Sequence, residues 1–345
     1  MSSPQKFLFL GATGYIGASI LEKFLKHPRA AEFQISALVR DISKAEKLKA
    51  FGVTSIVGDN SDLDLLQALA KDADVVISVA ESTNVPATKA ALIGAKRHFE
   101  ETGRPTIYIH TSGAGAIADC TVHGMHQDSP TYDDFDAAQM AMISPAQLHR
   151  PVDLELLCAD DEGYIKSYII LPTTVYGVPK GPLADCGIQR LQNSLLTWLV
   201  PVSLARGQGG MVGEGRNIWQ NVELDELADL YIILYNQIAK DDQISHGRAG
   251  LYFAENGAHQ LSEVSAIIAR TLFEHGKGQS PIPTPFTKDE ETNMGPMVML
   301  IGSNAKCKAS RARALGWQPT KSTSAFMESA REVTIMSLAS PTSNA

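Results

Sequence analysis

Three glycines near the amino end of the chain are spaced so that they could bind phosphate groups. Gly11, Gly14 and Gly17 follow the strand-like residues 6–10 and lead into a helix-like segment, 18–26. Glycines at this spacing let the backbone approach a diphosphate closely, and the free N–H groups of the first helical turn face its negative charge. The alternative is an ordinary strand-to-helix turn, but a position directly after an apolar strand is the context that a dinucleotide-binding motif requires.

The sequence of this turn resembles a family signature. Gly11-Ala-Thr-Gly-Tyr-Ile-Gly17 is similar to the glycine motif of extended and atypical short-chain dehydrogenases/reductases, which include the epimerase/dehydratase and NmrA-like proteins. The resemblance implies a Rossmann fold that binds NAD(P) through this turn, together with a C-terminal substrate subdomain. It assigns cofactor contacts in the turn to Gly11, Thr13, Gly14, Tyr15, Ile16 and Gly17.

Three later segments extend the resemblance. Leu171-Pro-Thr-Thr-Val-Tyr-Gly177 is similar to the family's Arg-Pro-x-x-Val-Tyr-Gly loop, although Leu171 replaces the usual arginine. That loop closes over the nicotinamide, so the resemblance adds Pro172 to the cofactor-binding residues. Residues 221–228 resemble an epimerase segment, and residues 315–319 resemble the family's terminal Gly-Trp-x-Pro turn.

A cation stands at the end of the second predicted strand, 33–40. Rossmann proteins that choose NAD usually have an acid there, which binds the ribose 2′-OH. Arg40 occupies this position and Lys44 is nearby, and a guanidinium suits a 2′-phosphate because it offers planar paired donors and a permanent charge. We therefore expect NADP(H) to be preferred over NAD(H). The alternative is a solvated Arg40 that pairs with Asp41 or Glu46.

The resemblance places two further sets of residues by position alone. Those expected beside the adenosine are Asp59, Asn60 and Ala80. Those expected to line the substrate pocket are Tyr176, Trp219 and Asn221. For Trp219 the alternative is a purely structural place in the core, which is common for a large aromatic side chain.

The family's usual catalytic set is a Ser or Thr after the fifth strand and a Tyr-x-x-x-Lys on the next helix. The lysine's positive charge lowers the pKa of the tyrosine, which exchanges the proton. Residues 110–114, His-Thr-Ser-Gly-Ala, are similar to the family's strand end, so the resemblance puts Ser112 at the position of the catalytic hydroxyl. A turn-capping role is the alternative for Ser112. Residues 176–180 match Tyr-x-x-x-Lys as a string, but Gly177 and Pro179 prevent the helical turn that the pair needs.

Counting back from Pro172 places the family's tyrosine helix near residues 149–153. His149 and Asp153 are four residues apart, so they could share one helical face. A histidine oriented by a carboxylate could act as a general acid or base near neutral pH. Ordinary start-of-helix signals also explain this sequence, since Pro151 suits the first helical position and Asp153 suits the first turn.

The elements that must position these residues alternate along the first half of the chain. We expect strands at 6–10, 33–40, 53–57, 73–80, 105–110, 165–171 and 251–254. We expect helices at 18–26, 43–51, 62–71, 84–102, 152–159 and 261–275. This alternation predicts an α/β fold, a doubly wound parallel Rossmann sheet, and the resemblance adds a smaller C-terminal α/β substrate subdomain.

The predicted domain organisation has three parts. Residues 1–175 form the dinucleotide-binding domain, in which the irregular segment 113–148 is a loop or lid insertion. Residues 176–335 form the substrate-binding subdomain, with some segments that return to the first domain. Residues 336–345 are polar and are expected to be a disordered tail.

Composition excludes several classes of function. The net charge is −8 over 345 residues and no basic block appears, so nucleic acid is not an expected partner. No signal peptide or membrane-spanning run is apparent, and the four cysteines are far apart, so we expect a cytoplasmic protein that does not bind a membrane. Cys120, His123 and His126 lie in one loop and lack a fourth ligand, so no metal is expected. The oligomeric state does not follow from the sequence.

Three functions fit these observations. The leading hypothesis is an NADP(H)-dependent oxidoreductase or epimerase-like enzyme that acts on a small organic or sugar-like substrate. In that case Ser112 and His149 would supply the proton path. Because no Tyr-x-x-x-Lys is recognisable, the second hypothesis is a regulator similar to NmrA, which binds the dinucleotide without turning it over. The third is a non-redox catalyst on the same fold.

Overall fold

The computed structural model describes residues 3–80, 82–191, 195–241 and 243–339. The strands are β1 (Gln5–Leu10), β2 (Phe33–Val39), β3 (Thr54–Val57), β4 (Val75–Ser78), β5 (Thr106–Thr111), β6 (Thr131–Asp133), β7 (Ile165–Pro172), β8 (Thr174–Tyr176), β9 (Gly210–Met211), β10 (Ile218–Glu223), β11 (Leu251–Ala254), β12 (Ala258–Gln260), β13 (Thr284–Pro285) and β14 (Lys306–Lys308). The helices are α1 (Tyr15–Leu25), α2 (Ile42–Lys49), α3 (Leu63–Lys71), α4 (Val85–Thr102), α5 (Ala137–Ala141), α6 (Arg150–Asp161), α7 (Pro182–Asp185), α8 (Leu195–Arg206), α9 (Leu224–Lys240), α10 (Leu261–Glu274), α11 (Lys288–Met294), α12 (Met297–Ile301), α13 (Ser310–Ala314) and α14 (Thr323–Ala339).

A seven-stranded sheet forms the centre of the fold. Its strand order is β11-β7-β5-β4-β1-β2-β3, and every neighbouring pair is parallel. Helix α4 packs against α3 and α6 in one layer, and α1 packs against α9 in another. The predicted doubly wound Rossmann sheet is confirmed. The strand order reverses between β1 and β4, which is where this architecture forms its ligand crevice.

The first strand is buried because helices cover both of its faces. Residues 7–10 of β1 are all buried, as expected for a parallel strand in the middle of such a sheet. The ring of Phe24 on α1 lies 5.4 Å from Phe7 and 5.7 Å from Phe9, measured between centroids. Tyr235 on α9 stacks edge-on against Phe24 at 5.3 Å. These contacts fix α1 on the sheet, and they thereby fix the turn that joins it to β1.

A second, smaller apolar core lies in the C-terminal half. Helices α8, α10 and α14 pack against one another there, and their buried side chains include Leu199, Leu272 and Phe326. A three-stranded sheet with the order β12-β10-β8 adjoins these helices. No helix within the described ranges is both long enough and apolar enough to span a membrane.

Some predicted elements need correction. Helix α2 begins at Ile42 and not at residue 43, and its N-cap is Asp41, which accepts a hydrogen bond from the N–H of Lys44. The segment 113–148 is not wholly irregular, because it contains β6 and α5. Residues 336–339 belong to α14 and are not a disordered tail, since packing against α8 and α10 supports this helix in spite of its polar end. Residues 340–345 lie outside the described residues.

Candidate functional site

The turn between β1 and α1 has a conformation that only glycine fits. Gly11 has a φ of +94°, and a Cβ on it would lie 3.0 Å from the carbonyl carbon of Val79. A Cβ on Gly17 would overlap the carbonyl oxygen of Gly11 and lie 2.9 Å from its carbonyl carbon. The N–H of Gly14, the N-cap of α1, donates to the Gly11 carbonyl at 2.9 Å. Because the missing side chains leave the helix N-terminus open, the turn fits the diphosphate of a dinucleotide.

A crevice of about 590 Å³ opens at this turn, at the carboxyl ends of β1 and β4. All the residues that the sequence assigned to the cofactor, except Pro172, line it. Their contributions differ. The hydroxyl of Tyr15 is buried and donates to the Gly177 carbonyl at 2.6 Å, and Asp59 accepts from the N–H and the hydroxyl of Ser61. Tyr15 therefore offers its backbone to the crevice, whereas Asp59 stands as a carboxylate at its rim.

Arg40 and Lys44 line this crevice and form no ion pair with a described residue, although hydrogen bonds and the charge of Arg40 together lower the pKa of Asp59. Arg40 is exposed and, within the described residues, makes no ion pair with Asp41 or Glu46. Asp41 caps α2 instead, and Glu46 pairs with Lys49 at 2.6 Å. Lys44 lines the same wall without a side-chain partner in the described part of the chain. The alternative role for Arg40, pairing with a neighbouring acid, is therefore not found.

A second cavity of about 370 Å³ meets this crevice at Ile16, which lines both. Ser112, His149 and Pro172 line this inner cavity on one side. The indoles of Trp198 and Trp219 and several aliphatic side chains of the second core line the remainder. Among the described residues, no aspartate, glutamate, lysine or arginine lines it. The cavity is thus an uncharged, largely apolar extension of the crevice.

His149 is held in an uncommon backbone conformation at the start of α6. It is the N-cap of the helix with a φ of +70°, a region that few non-glycine residues adopt. Its Nδ1 lies 2.8 Å from the hydroxyl oxygen of Ser82, and a Cβ on Gly113 would lie 2.9 Å from its Nε2. Burial lowers the pKa of His149 to about 4, so the imidazole is neutral at neutral pH.

Ser112 and Asp153 form a buried pair beside the cavity. The Ser112 hydroxyl donates to Oδ2 of Asp153 at 3.1 Å, and Asp153 is completely buried. Burial raises the pKa of Asp153 to about 7, against the opposing effects of the Ser112 hydrogen bond and the charge of Arg150. The predicted orientation of His149 by Asp153 is wrong, because Ser82 contacts the imidazole and the carboxylate faces Ser112 instead.

Several polar atoms around this pair lack hydrogen-bond partners among the described residues. They are Oδ1 of Asp153, Nε and Nη1 of Arg150, and Nε2 of His110. The nearest approach between Arg150 and Asp153 is 4.0 Å. Burial lowers the pKa of His110 to about 3. Because an unpaired buried polar atom costs free energy, this arrangement is typical of a functional region and not of a well-satisfied core.

Two residues assigned to the substrate pocket lie elsewhere. Tyr176 is buried in the second core, and its hydroxyl donates to the carbonyls of Lys321 and Ser322, both at 3.2 Å. Asn221 is fully buried, and its side chain donates to the Asn256 carbonyl at 3.0 Å. Neither residue lines the inner cavity. Both assignments rested on position in a family segment, and here those positions stabilise the C-terminal part.

The structure adds site residues that sequence reasoning missed. Ser82 follows β4 and contacts His149, and His259 lines the inner cavity next to Trp219. Asn217 also lines this cavity, and its Oδ1 has no partner in the described part of the chain. These residues come from separate elements, so no local spacing in the sequence indicated them. No group of three potential metal ligands occurs in the described residues, and His123 lies 3.3 Å from Glu291.

Comparisons with known proteins agree with this architecture. Residues 3–96 match the NmrA-like family. Oxidase ucsJ of Acremonium sp is 28% identical over 335 residues, which cover 91% of this chain and 93% of that protein. Eugenol synthase 2 of Clarkia breweri is 36% identical over 110 residues, which cover 29% of this chain and 35% of that protein.

A solved structure shares the fold over nearly the whole chain. It is the UDP-glucuronic acid 4-epimerase of Bacillus cereus in complex with NAD, with a TM-score of 0.64, 16% identity, and coverage of 98% of this chain and 99% of that one. The predicted resemblance to NmrA-like and epimerase/dehydratase-type proteins is thus confirmed.

Proposed function

We propose that the protein is an NADP(H)-dependent oxidoreductase that reduces a small, uncharged carbonyl compound. The observation that carries this proposal is the continuity of two spaces. The glycine-walled crevice meets, at Ile16, an inner cavity that presents Ser112 and His149. A dinucleotide whose diphosphate lies at Gly11 to Gly17 would therefore have its reactive end next to a site with a hydroxyl and an imidazole.

The choice of NADP(H) rests on Arg40 and Lys44. Both residues line the crevice, and neither forms an ion pair with a described residue. A guanidinium at the end of the second strand suits a 2′-phosphate, and an acid at this position would be needed to select the 2′-OH of NAD. When it is bound, the cofactor supplies the hydride. The protein's own residues must then place the substrate, exclude water and move one proton.

Ser112 and Asp153 can move that proton. A carbonyl that accepts a hydride at carbon needs a proton at oxygen, and Ser112 is a hydroxyl-bearing residue of the cavity wall that is bonded to a carboxyl. Because the pKa of Asp153 is about 7, its carboxyl is protonated in part of the molecules at neutral pH. A protonated Asp153 can donate to Ser112, whose own proton is then free to transfer to the substrate oxygen. The neutral imidazole of His149 offers a further hydrogen bond.

The cavity wall limits the substrate class. Without a charged side chain in its described lining, the cavity would leave a charged substrate group buried and unpaired, which is costly. The two indoles and the aliphatic residues favour an aromatic or otherwise apolar body. A sugar nucleotide does not fit these properties.

One observation favours a second candidate. The position where the family has its catalytic tyrosine carries no phenol here, and the match to the NmrA-like family covers the glycine turn and the residues expected beside the adenosine. A dinucleotide-binding regulator without turnover is therefore the alternative. It predicts tight NADP(H) binding together with no substrate-dependent oxidation of NADPH.

The test is a spectrophotometric assay of NADPH oxidation with matched pairs of carbonyl compounds. Each pair differs only in a carboxylate. We expect turnover of the neutral aromatic carbonyls and none of their carboxylate-bearing counterparts. The Ser112→Ala variant should reduce kcat by about 100-fold or more without weakening NADPH. Thr111→Val is a matched control, since Thr111 bonds to the buried Tyr231 hydroxyl and lies outside the cavity lining. Tight NADPH binding without turnover of any compound would favour the regulator.

A further inference from the structure

The segment that follows β8 lies against the phosphate-binding turn, although more than 160 residues separate them in sequence. The buried side chain of Gln189 donates to the Tyr15 carbonyl at 2.7 Å and to the Ser19 hydroxyl at 2.8 Å. The N–H of Arg190 donates to the carbonyl of Thr13 at 3.1 Å. Three hydrogen bonds therefore tie residues 189–190 to the turn and to the first helical turn of α1.

Arg190 is one of the residues that line the dinucleotide crevice, together with Gly11, Thr13 and Gly14. Arg190 is exposed, and its guanidinium makes no hydrogen bond or ion pair with any residue that the structure describes. Its backbone is held next to the glycine turn, whereas Arg40 and Lys44 approach from β2 and α2. The two arginines thus stand at different parts of one crevice.

We infer that Arg190 binds the diphosphate bridge of the dinucleotide and that Arg40 binds a different group, the 2′-phosphate. This inference rests on the proposed dinucleotide binding. A guanidinium can bind two phosphate oxygens at once through its planar pair of N–H donors. Arg190 would add a charged donor to the N–H groups of the helix terminus, which alone carry only partial charge. Because both NADP(H) and NAD(H) contain the diphosphate, Arg190 raises the affinity for both dinucleotides and does not discriminate between them.

Calorimetric binding to the full chain separates the two roles. Arg190→Ala should weaken NADPH and NADH by the same factor, about tenfold, as expected for the loss of a hydrogen bond between charged groups. Nicotinamide riboside, which has no phosphate, should not distinguish Arg190→Ala from the unmodified protein. Arg190→Lys keeps the charge and should lose less. Arg97→Ala is the matched control, because Arg97 is an exposed arginine on α4 away from the crevice.

Two outcomes would overturn the assignment. If Arg190→Ala binds both dinucleotides as tightly as Arg97→Ala does, Arg190 makes no contact with them. If it weakens NADPH but spares NADH, Arg190 contacts the 2′-phosphate. In both cases the unmodified protein still binds, whereas an unmodified protein that binds neither dinucleotide contradicts the proposed function itself. Melting temperatures without ligand identify a folding defect, and Arg190→Gln then replaces the alanine variant in the same comparison.

Discussion

At Gly17 the space for one methyl group determines whether the phosphate-binding turn can form. A Cβ there would overlap the carbonyl oxygen of Gly11 and lie 2.9 Å from its carbonyl carbon. Both of these Gly11 atoms belong to the backbone, which the packed strand and helix hold in place. We expect Gly17→Ala to destabilise the protein by about 1–3 kcal/mol, the usual cost of overpacking, and to abolish dinucleotide binding.

Gly14→Ala is the graded comparison for this prediction. A Cβ on Gly14 would lie 3.2 Å from the Gly11 carbonyl oxygen, which is tight but can be relieved by a small shift. Its melting temperature should therefore lie between those of Gly17→Ala and the unmodified protein. Equal melting temperatures for all three proteins would show that the turn yields more easily than its contacts indicate.

The carboxyl of Asp153 should make the stability of the protein depend on pH, and Asp153→Asn should remove this dependence. Its pKa is raised to about 7, so the folded state keeps the proton that the unfolded chain releases near pH 4. The stabilisation from this group is complete below about pH 4 and is lost as the pH rises through 7. The melting temperature of Asp153→Asn, relative to the unmodified protein, should therefore increase between about pH 5 and pH 8.

The same titration should appear in turnover. If a protonated Asp153 returns a proton to Ser112, reduction of the substrate should slow above about pH 7 in the unmodified protein. The Asp153→Asn variant should be slow at every pH. His149 does not titrate in this range, because its pKa is about 4. A pH profile of Asp153→Asn that keeps the step near 7 would assign that step to another group.

Among the elements, the short strand β6 depends on contacts with segments far along the chain. Asp134, directly after β6, is buried and accepts from the backbone N–H groups of Phe253 and Arg311, both within 2.9 Å. Asp134→Ala would leave two buried donors unpaired, so we expect a loss of about 2 kcal/mol or more in the free energy of unfolding. Asp128→Ala, at an exposed position, should change stability little. Chemical denaturation measures both, and equal stabilities would contradict this role for Asp134.

The elements also show how far the sequence determines the fold. The strands of the large sheet and helices α1, α3, α4 and α10 follow from apolar runs, caps and glycines, and the structure places them within a few residues of the prediction. β6 could not be predicted, because it is three residues long and pairs with β14, about 175 residues later in the chain. The candidate site divides in the same way. The glycine turn and Ser112 carry local signals, whereas Ser82, Asn217 and Arg190 reach the site only through tertiary packing.

For the whole molecule, buried histidines set the response to acid. Burial lowers the pKa of His110 and His259 to about 3 and that of His149 to about 4. The unfolded chain binds these protons near pH 6.5, so the stability they contribute is present above that pH and is lost as the pH falls towards 4. Asp134 and Asp153, with raised pKa values, act in the opposite direction over the same range. On acidification the three histidines lower the stability and the two carboxyls raise it, so the net effect of these five groups is a loss of stability.

His259 allows this balance to be tested, because its surroundings are apolar. Its ring lies 4.4 Å from that of Phe326, measured between centroids, and its Nδ1 is 3.3 Å from the side-chain oxygen Oδ1 of Asn221. His259→Gln keeps a neutral polar group but removes the titration. The free energy of unfolding should then fall less steeply from pH 6.5 to pH 5, by up to about 1.4 kcal/mol per pH unit. An unchanged slope in urea denaturation would mean that protonation of His259 does not contribute to the loss of stability in this pH range. The loss would then come from protonation of His110 and His149, beside the proposed catalytic groups.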